Sequence, residues 1–309
     1  MNKIVITGAL GHIGSKLIRE IPNMFPEAEI VMLDNLSAQR YCSLFDLPHH
    51  RYHFIEEDIL NADLVHIFRG ADAVVHLAAV TDATMSFQLK DEVEHVNYGG
   101  TKLVAEACIR IGCPLIFPST TSVYGSQAET VDEDCTDLKP QSPYAESKLK
   151  AEQLLQQLGE QNKLRFIICR FGTIFGTSIG MRFHTAVNKF CWQAVMGKSI
   201  TVWHTALNQN RPYLDLNDAV RAIEFIIQKQ IYDNKTYNVV TVNTSVGEII
   251  NIISNYISNP IIQYVDTEIM NQLSYNVLNI RFEKLGFEFQ GNLKQGIEKT
   301  ISLLRSQNE

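Results

Sequence analysis

The stretch 3–20 reads KIVITGALGHIGSKLIRE. Its first five residues form a β-branched run that is typical of a strand, and its last six follow a helical pattern. Between the two lies a turn with glycines at positions 8, 11 and 14. A strand, a glycine-rich turn and a helix in this order predict the start of a sheet whose strands are joined by helices.

The glycines of this turn each have a physical role in binding a dinucleotide. Gly8 permits the tight turn, Gly11 allows the backbone to approach a pyrophosphate, and Gly14 allows helix and strand to pack closely. His12 and Ile13 lie at the start of the helix, whose free N–H groups then face the phosphates. Glycine turns are common, so this prediction depends on the flanking strand and helix.

The second predicted strand, 29–33, ends in an acidic residue. Asp34 follows Gly8 by 26 residues, near the distance at which a carboxylate hydrogen-bonds the adenosine ribose. A carboxylate there repels a 2′-phosphate, so we expect NAD rather than NADP, with Asn35 beside it. The alternative is a loop aspartate that caps a turn. Arg40 is the nearby residue that could weaken this preference for NAD over NADP.

The strand pattern continues in apolar runs separated by helical segments. These strands are predicted at 53–56, 73–77, 115–119, 165–170 and 237–240. Their alternation with helices specifies an α/β fold with a doubly wound parallel sheet, the Rossmann architecture. Ala78 and Ala79, small residues after the fourth strand, leave room for a cofactor.

We expect the chain to divide into two parts. A Rossmann domain is predicted in residues 1–173, with a return segment at about 213–242. A smaller C-terminal substrate-binding lobe is predicted in 174–212 and 243–309, where the strand–helix rhythm breaks.

The stretch 141–150 reads QSPYAESKLK and contains a tyrosine and a lysine four residues apart. Ser142 suits an N-cap and Pro143 a first helical position. Tyr144 and Lys148 then share one helix face. An ammonium beside a phenol lowers the phenol pKa, so Tyr144 is a candidate acid/base. A solvated helix face is the alternative for such a pair.

Two other segments could face the ligand crevice that is expected at the carboxyl ends of the parallel strands. The hydroxyl residues Thr120, Thr121 and Ser122 follow the fifth strand, although hydroxyls there are also common turn chemistry. A helix is predicted over 94–111, with Asn97 on one of its faces.

Composition excludes several classes of protein. The chain has 309 residues and a net charge of −7, without a block of basic residues, so we expect no nucleic-acid partner. No apolar run is long enough to cross a bilayer, and the start reads as a strand rather than a signal peptide. The six cysteines have no CxxC spacing; we expect buried free thiols, a reducing cytoplasm and no metal site.

The chain resembles an extended short-chain dehydrogenase/reductase of the nucleotide-sugar epimerase/dehydratase type. The resemblance runs in the family's order over nearly the whole chain. Its matching residues are Gly8, Gly11, Gly14, Asp34, Asp58, Ile59, His76, Leu77, Ala78, Ala79, Asn97, Ser119, Thr120, Tyr124, Gly125, Tyr144, Lys148, Arg170, Phe175, Gly176, Arg211 and Asp218.

The resemblance implies roles for these positions. Thr120, Tyr144 and Lys148 are the expected catalytic residues, with Lys148 on the nicotinamide ribose. The expected NAD-binding residues are Gly8, Gly11, His12, Ile13, Gly14, Asp34, Asn35, Asp58, Ile59, Leu77, Ala78, Ala79, Asn97, Tyr144 and Lys148.

The resemblance also implies a nucleotide-sugar substrate. Arg211 is the expected partner of its diphosphate, since a guanidinium fork suits phosphate; a structural ion pair is the alternative. The expected substrate-binding residues are Thr120, Thr121, Ser122, Thr173, Arg182, Asn188 and Arg211.

Departures from the family pattern narrow the reaction. Nucleotide-sugar 4,6-dehydratases carry Asp-Glu where this chain has Thr121 and Ser122, and the family's decarboxylases usually carry Glu at Ser122. The hydroxyl-rich version is similar to that of sugar 4-epimerases. Thr173 replaces a frequent Asn, and Gln272-Leu273 stands where an Arg is frequent.

These features favour an NAD-dependent epimerase that acts at C4 through a 4-keto intermediate. The alternative is a C4 dehydrogenase or ketoreductase, because the segment 170–188 resembles a subgroup acting on GDP-heptoses. A third hypothesis is a nucleotide-sensing protein without catalysis. The family's habit implies a homodimer through the helices at 97–111 and 144–158. The nucleotide base and the sugar stay open.

Overall fold

The computed structural model describes residues 1–127, 130–265 and 274–305. Gln272 and Leu273 lie outside these ranges. The strands β1 to β12 are, in chain order, Lys3–Thr7, Glu29–Asp34, Tyr52–Glu56, Ala73–His76, Leu115–Thr120, Phe166–Phe171, Thr173–Phe175, Ile200–Trp203, Asn210–Asp215, Thr236–Val239, Val242–Ser245 and Ile262–Val265. The α-helices α1 to α10 are, in chain order, His12–Met24, Leu64–Phe68, Lys90–Val93, Gly100–Ile111, Pro143–Glu160, Ala186–Val195, Leu216–Lys229, Val246–Ser254, Ile280–Glu283 and Leu293–Arg305.

A seven-stranded parallel sheet is the centre of the fold. Its strand order is β10-β6-β5-β4-β1-β2-β3, and every neighbouring pair runs parallel. The chain therefore moves outward from β1 in one direction and then returns to build the other half. The predicted α/β fold with a doubly wound sheet is confirmed.

Alternate residues of each strand face opposite layers of helices. In β1, Ile4 and Ile6 pack with α1 and α7 in one apolar cluster, whereas Val5 packs with α2, α4 and α5 in another. Because both faces are covered, the strands are apolar on both sides, which explains the unbroken apolar runs of the sequence.

A smaller assembly follows β6. Three strands, β11-β9-β7, form one sheet, and β12 pairs with β8. Helices α6, α8 and α10 enclose a third apolar cluster. The division predicted between 1–173 and the later segments is untested and stays a prediction.

Local signals place several helices as expected. Ser142 Oγ accepts a hydrogen bond from Ala145 N at the start of α5, directly before Pro143. Ser245 and Glu248 form a capping box at the start of α8. The helix predicted over 94–111 begins earlier, at Lys90, because a π-helical segment, Glu94–Gly99, joins α3 to α4.

Candidate active site

A cavity of about 630 Å³ lies at the carboxyl ends of the parallel strands. Its wall extends from the glycine-rich turn after β1, past Thr120 at the end of β5, to Arg211 in β9. Loops that follow parallel strands meet at this edge of a doubly wound sheet, which is where such folds bind ligands. The cavity is therefore the candidate active site.

The glycine-rich turn has the geometry that a pyrophosphate requires. Gly8 has a φ of +66°, and a Cβ there would lie 2.5 Å from Ala78 N. A Cβ on Gly14 would lie 2.5 Å from Ala9 O, where α1 packs on the turn. Gly11 lines the cavity at the start of α1. Side chains on Gly8 and Gly14 would collide with neighbouring backbone atoms and deform the turn, so the glycines present fit a dinucleotide-binding turn.

The end of β2 fits the adenosine part of such a ligand. Asp34 lines the cavity, and its carboxylate accepts hydrogen bonds from Leu10 N at 3.0 Å and Leu36 N at 2.9 Å. Asn35 Nδ2 donates to Asp58 Oδ2 at 2.8 Å. The two acidic loops are thereby fixed side by side.

The expected catalytic residues lie together on the cavity wall. Thr120, Tyr144 and Lys148 all line it. Lys148 is only 4% exposed; its Nζ donates to Pro118 O at 3.0 Å and lies 4.5 Å from the centre of the Phe117 ring. Burial lowers the Lys148 pKa to about 8, and the charge of Glu152 opposes this shift.

The pKa of the Tyr144 phenol differs from the sequence expectation, which was a lowered value. Burial raises its pKa to about 12, while a hydrogen bond with Thr120 and the charge of Arg182 lower it. The spacing of the two residues in α5 predicted that the lowering charge would come from Lys148. With this pKa, Tyr144 is a neutral phenol at physiological pH.

The segment 177–185 crosses from the glycine-rich turn to the opposite wall. Ser178 Oγ donates to His12 O at 2.9 Å and lies 3.0 Å from His12 Nδ1. Gly180 N donates to Ser15 Oγ at 2.9 Å. Arg182 Nη1 donates to Thr81 Oγ1 beyond β4. We name this segment the strap.

The strap places Arg182 and His184 near two other basic residues of the cavity wall, His12 and Arg40. Burial, followed by the charges of Arg40, Arg182 and His184, lowers the His12 pKa to about 3. Burial and Arg182 together lower the His184 pKa to about 4. Both imidazoles are neutral at physiological pH, so Arg40 and Arg182 carry the charge. Such a pair of guanidinium groups suits an anionic ligand.

Three predicted site residues lie away from the described cavity wall. The side chain of Asn97 hydrogen-bonds both main-chain groups of Val80: Oδ1 accepts from Val80 N at 2.8 Å, and Nδ2 donates to Val80 O. Asn188 bonds Gly176 in the same way. Thr121 Oγ1 donates to Phe171 O at 3.4 Å. The other predicted cofactor and substrate residues, including Ser122, Thr173, Arg182 and Arg211, line the cavity.

Sequence reasoning did not single out several residues of this wall. Asp82, His184 and Lys189 line the cavity beside Arg182, and Tyr275 lines it near Ser122. The last three come from the C-terminal half, where the chain has no repeating pattern. Only their chemistry, a basic or hydroxyl side chain in an irregular segment, could have indicated them.

Residues 4–240 match the family model described as the NAD dependent epimerase/dehydratase family. The chain belongs to that family. The recognition from its motifs is thus confirmed, together with NAD as the cofactor and the assignment as an enzyme. The glycine-rich turn and the tyrosine–lysine helix, on which the resemblance rested, form part of the cavity wall.

Two curated relatives match most of the chain in sequence. A trifunctional UDP-glucose 4,6-dehydratase/UDP-4-keto-6-deoxy-D-glucose 3,5-epimerase/UDP-4-keto-L-rhamnose-reductase of Arabidopsis thaliana is 31% identical over 96% of the chain, which spans 46% of that relative. An uncharacterized UDP-glucose epimerase of Bacillus subtilis is 28% identical, with 98% of each sequence covered.

A solved structure agrees with this fold. The UDP-glucuronic acid 4-epimerase of Bacillus cereus, in complex with UDP-glucuronic acid and NAD, has a TM-score of 0.87 at 24% identity and 99% coverage of both chains. Among the described helices, none is both long and apolar enough to span a membrane.

Proposed function

We propose that the protein is an NAD-dependent nucleotide-sugar epimerase that acts at C4 through a 4-keto intermediate. The observation that carries this proposal is the wall beside Thr120. Thr120, Tyr144 and Lys148 provide the groups for oxidising a hydroxyl, and the two residues after Thr120 are neutral. The site can therefore move a hydride and a proton at one carbon, but has no acid next to Thr120 for removing water.

The neutral residues beside Thr120 weigh against a dehydratase. Thr121 Oγ1 donates to Phe171 O, and Tyr275 OH donates to Thr121 Oγ1 at 3.4 Å, so this hydroxyl is used within the protein. Ser122 lines the cavity with a hydroxyl. Water elimination needs a group that gives a proton to the leaving oxygen, and a serine is a poor donor.

The cofactor would be held by residues that already fit it. Gly8, Gly11 and Gly14 would leave space for the pyrophosphate, and Asp34, on the same cavity wall, would face the adenosine ribose. Lys148, one helical turn after Tyr144 in α5, would bind the nicotinamide ribose. Bound NAD supplies the hydride acceptor and, in its oxidised form, a positive charge.

Tyr144 and Thr120 would handle the proton of the sugar hydroxyl. As phenolate, Tyr144 takes the proton from the C4 hydroxyl, and Thr120 hydrogen-bonds the same oxygen. A neighbouring positive charge favours the phenolate. The pKa of about 12 in the ligand-free protein suits the second half of the reaction, in which Tyr144 must hold the proton until the keto group is reduced.

The diphosphate of the substrate would bind to cations on the far wall. Arg211, Arg182 and Lys189 line the cavity beyond the catalytic residues. A guanidinium fork and an ammonium are both suited to phosphate oxygens. The relatives named above act on UDP-sugars, which makes these the first candidates, followed by GDP-sugars.

A second candidate, a C4 dehydrogenase or ketoreductase, is favoured by one feature. Arg182 reaches the cavity from the strap, within the segment that resembles enzymes acting on GDP-heptoses. In that reaction the keto sugar leaves instead of taking the hydride back. The residues that oxidise C4 are the same, so the two functions differ in the fate of the hydride. A nucleotide-sensing protein is disfavoured, because a pure binder does not need the acid/base pair.

A substrate labelled with deuterium at C4 tests both candidates. The enzyme is incubated in turn with labelled UDP-, GDP-, dTDP- and CDP-hexoses, and the sugars are analysed by NMR. The epimerase predicts product inverted at C4 that retains the deuterium. The dehydrogenase predicts released keto sugar and deuterium in the reduced cofactor. If neither forms while binding is measurable, the catalytic proposal fails. A 4-keto-6-deoxy product would identify a dehydratase.

Two further properties remain proposals. We propose a cytoplasmic location and a homodimer formed through α4 and α5. Leu103 of α4 is an exposed apolar side chain, which is consistent with such an interface. Sedimentation analysis would test the dimer, and a Leu103→Asp variant that stays dimeric would argue against this face.

A further inference from the structure

A buried ion pair lies directly behind the catalytic residues. Glu152 in α5 is 1% exposed and Arg170 in β6 is 4% exposed. Arg170 Nε donates to both carboxylate oxygens at 3.1 Å, and Nη2 donates to Oε2 at 2.7 Å. Neither residue is part of the described cavity wall, so the pair cannot touch a ligand there.

The pair joins the elements that carry the catalytic groups. Ser119 Oγ donates to Glu152 Oε1 at 2.5 Å, and Ser119 directly precedes Thr120. Ser119 is also the register partner of Arg170 between β5 and β6. Glu152 follows Lys148 by one helical turn in α5. One carboxylate therefore joins β5, β6 and α5 directly before Thr120 and one helical turn after Lys148.

Stability alone is a poor reason for such a pair. Removing two charges from water is costly, and well-packed apolar residues often replace a buried ion pair without loss. Here the carboxylate has a second partner: its charge opposes the effect of burial on the Lys148 ammonium. Arg170 Nη1 is buried without a hydrogen-bond partner among the described residues, so the pair is not optimised for satisfaction of its own groups.

We propose that Glu152 is a positioning residue: its buried carboxylate, hydrogen-bonded to Ser119 and Arg170, holds Thr120 and Lys148 in register and places a negative charge one helical turn from the Lys148 ammonium. The inference rests on the proposed function, because it concerns the lysine of the catalytic set. It adds a residue outside the cavity to the groups that determine the reaction.

The surroundings of Lys148 leave Glu152 as the source of this charge. On its own helix, Tyr144 is a neutral phenol at physiological pH. From β4, His76 faces the ammonium; burial, followed by the charge of Lys148, lowers the His76 pKa to about 3, so it is neutral. From β5, Lys148 meets the Phe117 ring and Pro118 O. Arg170 from β6 is a cation and would disfavour the ammonium without Glu152.

The test is a titration of Lys148 in the Glu152→Gln variant. Glutamine keeps the size of the side chain and can still accept from Ser119 and Arg170, but it lacks the charge. Lysine isotope-labelled at Cε is incorporated, and the Lys148 signal is assigned by its loss in Lys148→Met. We expect the midpoint of the Lys148 titration to fall by about one pH unit or more. As the pH is raised, the activity of the variant on a deuterated hexose nucleotide should be lost at a correspondingly lower pH than that of the wild type.

Two controls separate this role from a merely structural one. Glu146→Gln removes a carboxylate from the same helix, outside the pair, and should leave the Lys148 midpoint in place. Ser119→Ala removes the hydrogen bond and keeps the charge; it should reduce turnover without moving the midpoint. If Glu152→Gln does not fold, Arg170→Gln is titrated instead. It keeps the Glu152 carboxylate and removes the opposing cation, so the Lys148 midpoint should rise, and an unchanged midpoint there would also overturn the inference.

An unchanged Lys148 midpoint in a folded Glu152 variant would overturn the inference. This result does not depend on turnover, so it leaves the proposed reaction standing. Conversely, a shifted midpoint in a protein that converts none of the nucleotide sugars would support the electrostatic role and remove the proposed function.

Discussion

At the scale of single residues, the hydroxyl of Tyr144 carries the proposed acid/base step. Tyr144→Phe keeps the ring on the cavity wall and removes the proton acceptor, so single-turnover reduction of bound NAD should slow by about 10²–10⁴-fold. Thr120→Ala should have a milder effect, because it removes a hydrogen bond and leaves the base. Nucleotide-sugar binding, followed by thermal shift, should survive in both. Cofactor reduction by Tyr144→Phe at the wild-type rate would refute the assignment.

The carboxylate of Asp34 should determine the choice of cofactor. It can accept hydrogen bonds from both adenosine ribose hydroxyls and repels a 2′-phosphate. Titration of the cofactor-free protein should therefore give tighter binding of NAD than of NADP, and Asp34→Asn should narrow the difference. Arg40, on the same side of the cavity, is the cation that could favour NADP. Equal affinities in the wild-type protein would mean that Asp34 does not face the ribose.

The guanidinium of Arg211 should bind the substrate diphosphate. Loss of a charge-assisted hydrogen bond costs about 1.5–3 kcal/mol, so Arg211→Ala should weaken nucleotide-sugar binding roughly ten- to a hundredfold. Isothermal titration of UDP-hexoses measures this, and NAD affinity should stay unchanged. Arg281→Ala is the matched control, because Arg281 pairs with Asp134 outside the cavity wall. Equal loss of NAD binding would identify Arg211 as structural.

At the scale of elements, the strap depends on a glycine. A Cβ on Gly180 would lie 2.5 Å from Leu10 O and 2.6 Å from Gly11 O, and these backbone atoms cannot move without deforming the pyrophosphate cradle. Gly180→Ala should therefore displace the strap and increase the rate of NAD release several-fold. Gly99→Ala is the control, since its Cβ would meet only His95 Nδ1, at 3.7 Å. Release at the wild-type rate in Gly180→Ala would mean that the strap does not retain the cofactor.

The burial of the strands and the local caps of the helices explain which elements could be predicted from the sequence. Strands β1, β2, β4, β5 and β6 were recognisable because each is buried on both faces, whereas β3 at the sheet edge is only partly buried. The helix cap Ser142 is a local signal. Thr121 was assigned to the substrate because it follows Thr120. Adjacent residues of an extended chain point in opposite directions, however, and its hydroxyl instead donates to Phe171 O.

The features that the sequence did not predict depend on contacts between residues that are far apart in the chain. Asn188 lies in a motif expected to reach the substrate, yet its amide bonds Gly176. The approach of the strap to His12 joins residues 166 positions apart in the chain, and no periodic pattern encodes that contact. The raised pKa of Tyr144 likewise depends on burial by several segments, which spacing within one helix does not reveal.

At the scale of the whole molecule, the enclosure of the cofactor bears on the reaction. The glycine-rich turn lies at one end of the cavity and the strap crosses to Thr81 on the other wall. An enzyme that returns the hydride to the same sugar has no need to exchange its cofactor. We expect the purified protein to retain NAD through gel filtration. Denaturing it and assaying the released nucleotide by chromatography measures the occupancy.

The Gly180→Ala variant is the matched control for this measurement, because it should lose cofactor during the same purification while its fold, followed by circular dichroism, is unchanged. High occupancy in the wild type and low occupancy in the variant would support internal return of the hydride and hence the epimerase. An empty wild-type protein that oxidises the sugar only when NAD is added, and then releases keto sugar and NADH, would instead favour the C4 dehydrogenase, since that reaction must discharge its reduced cofactor after every turnover.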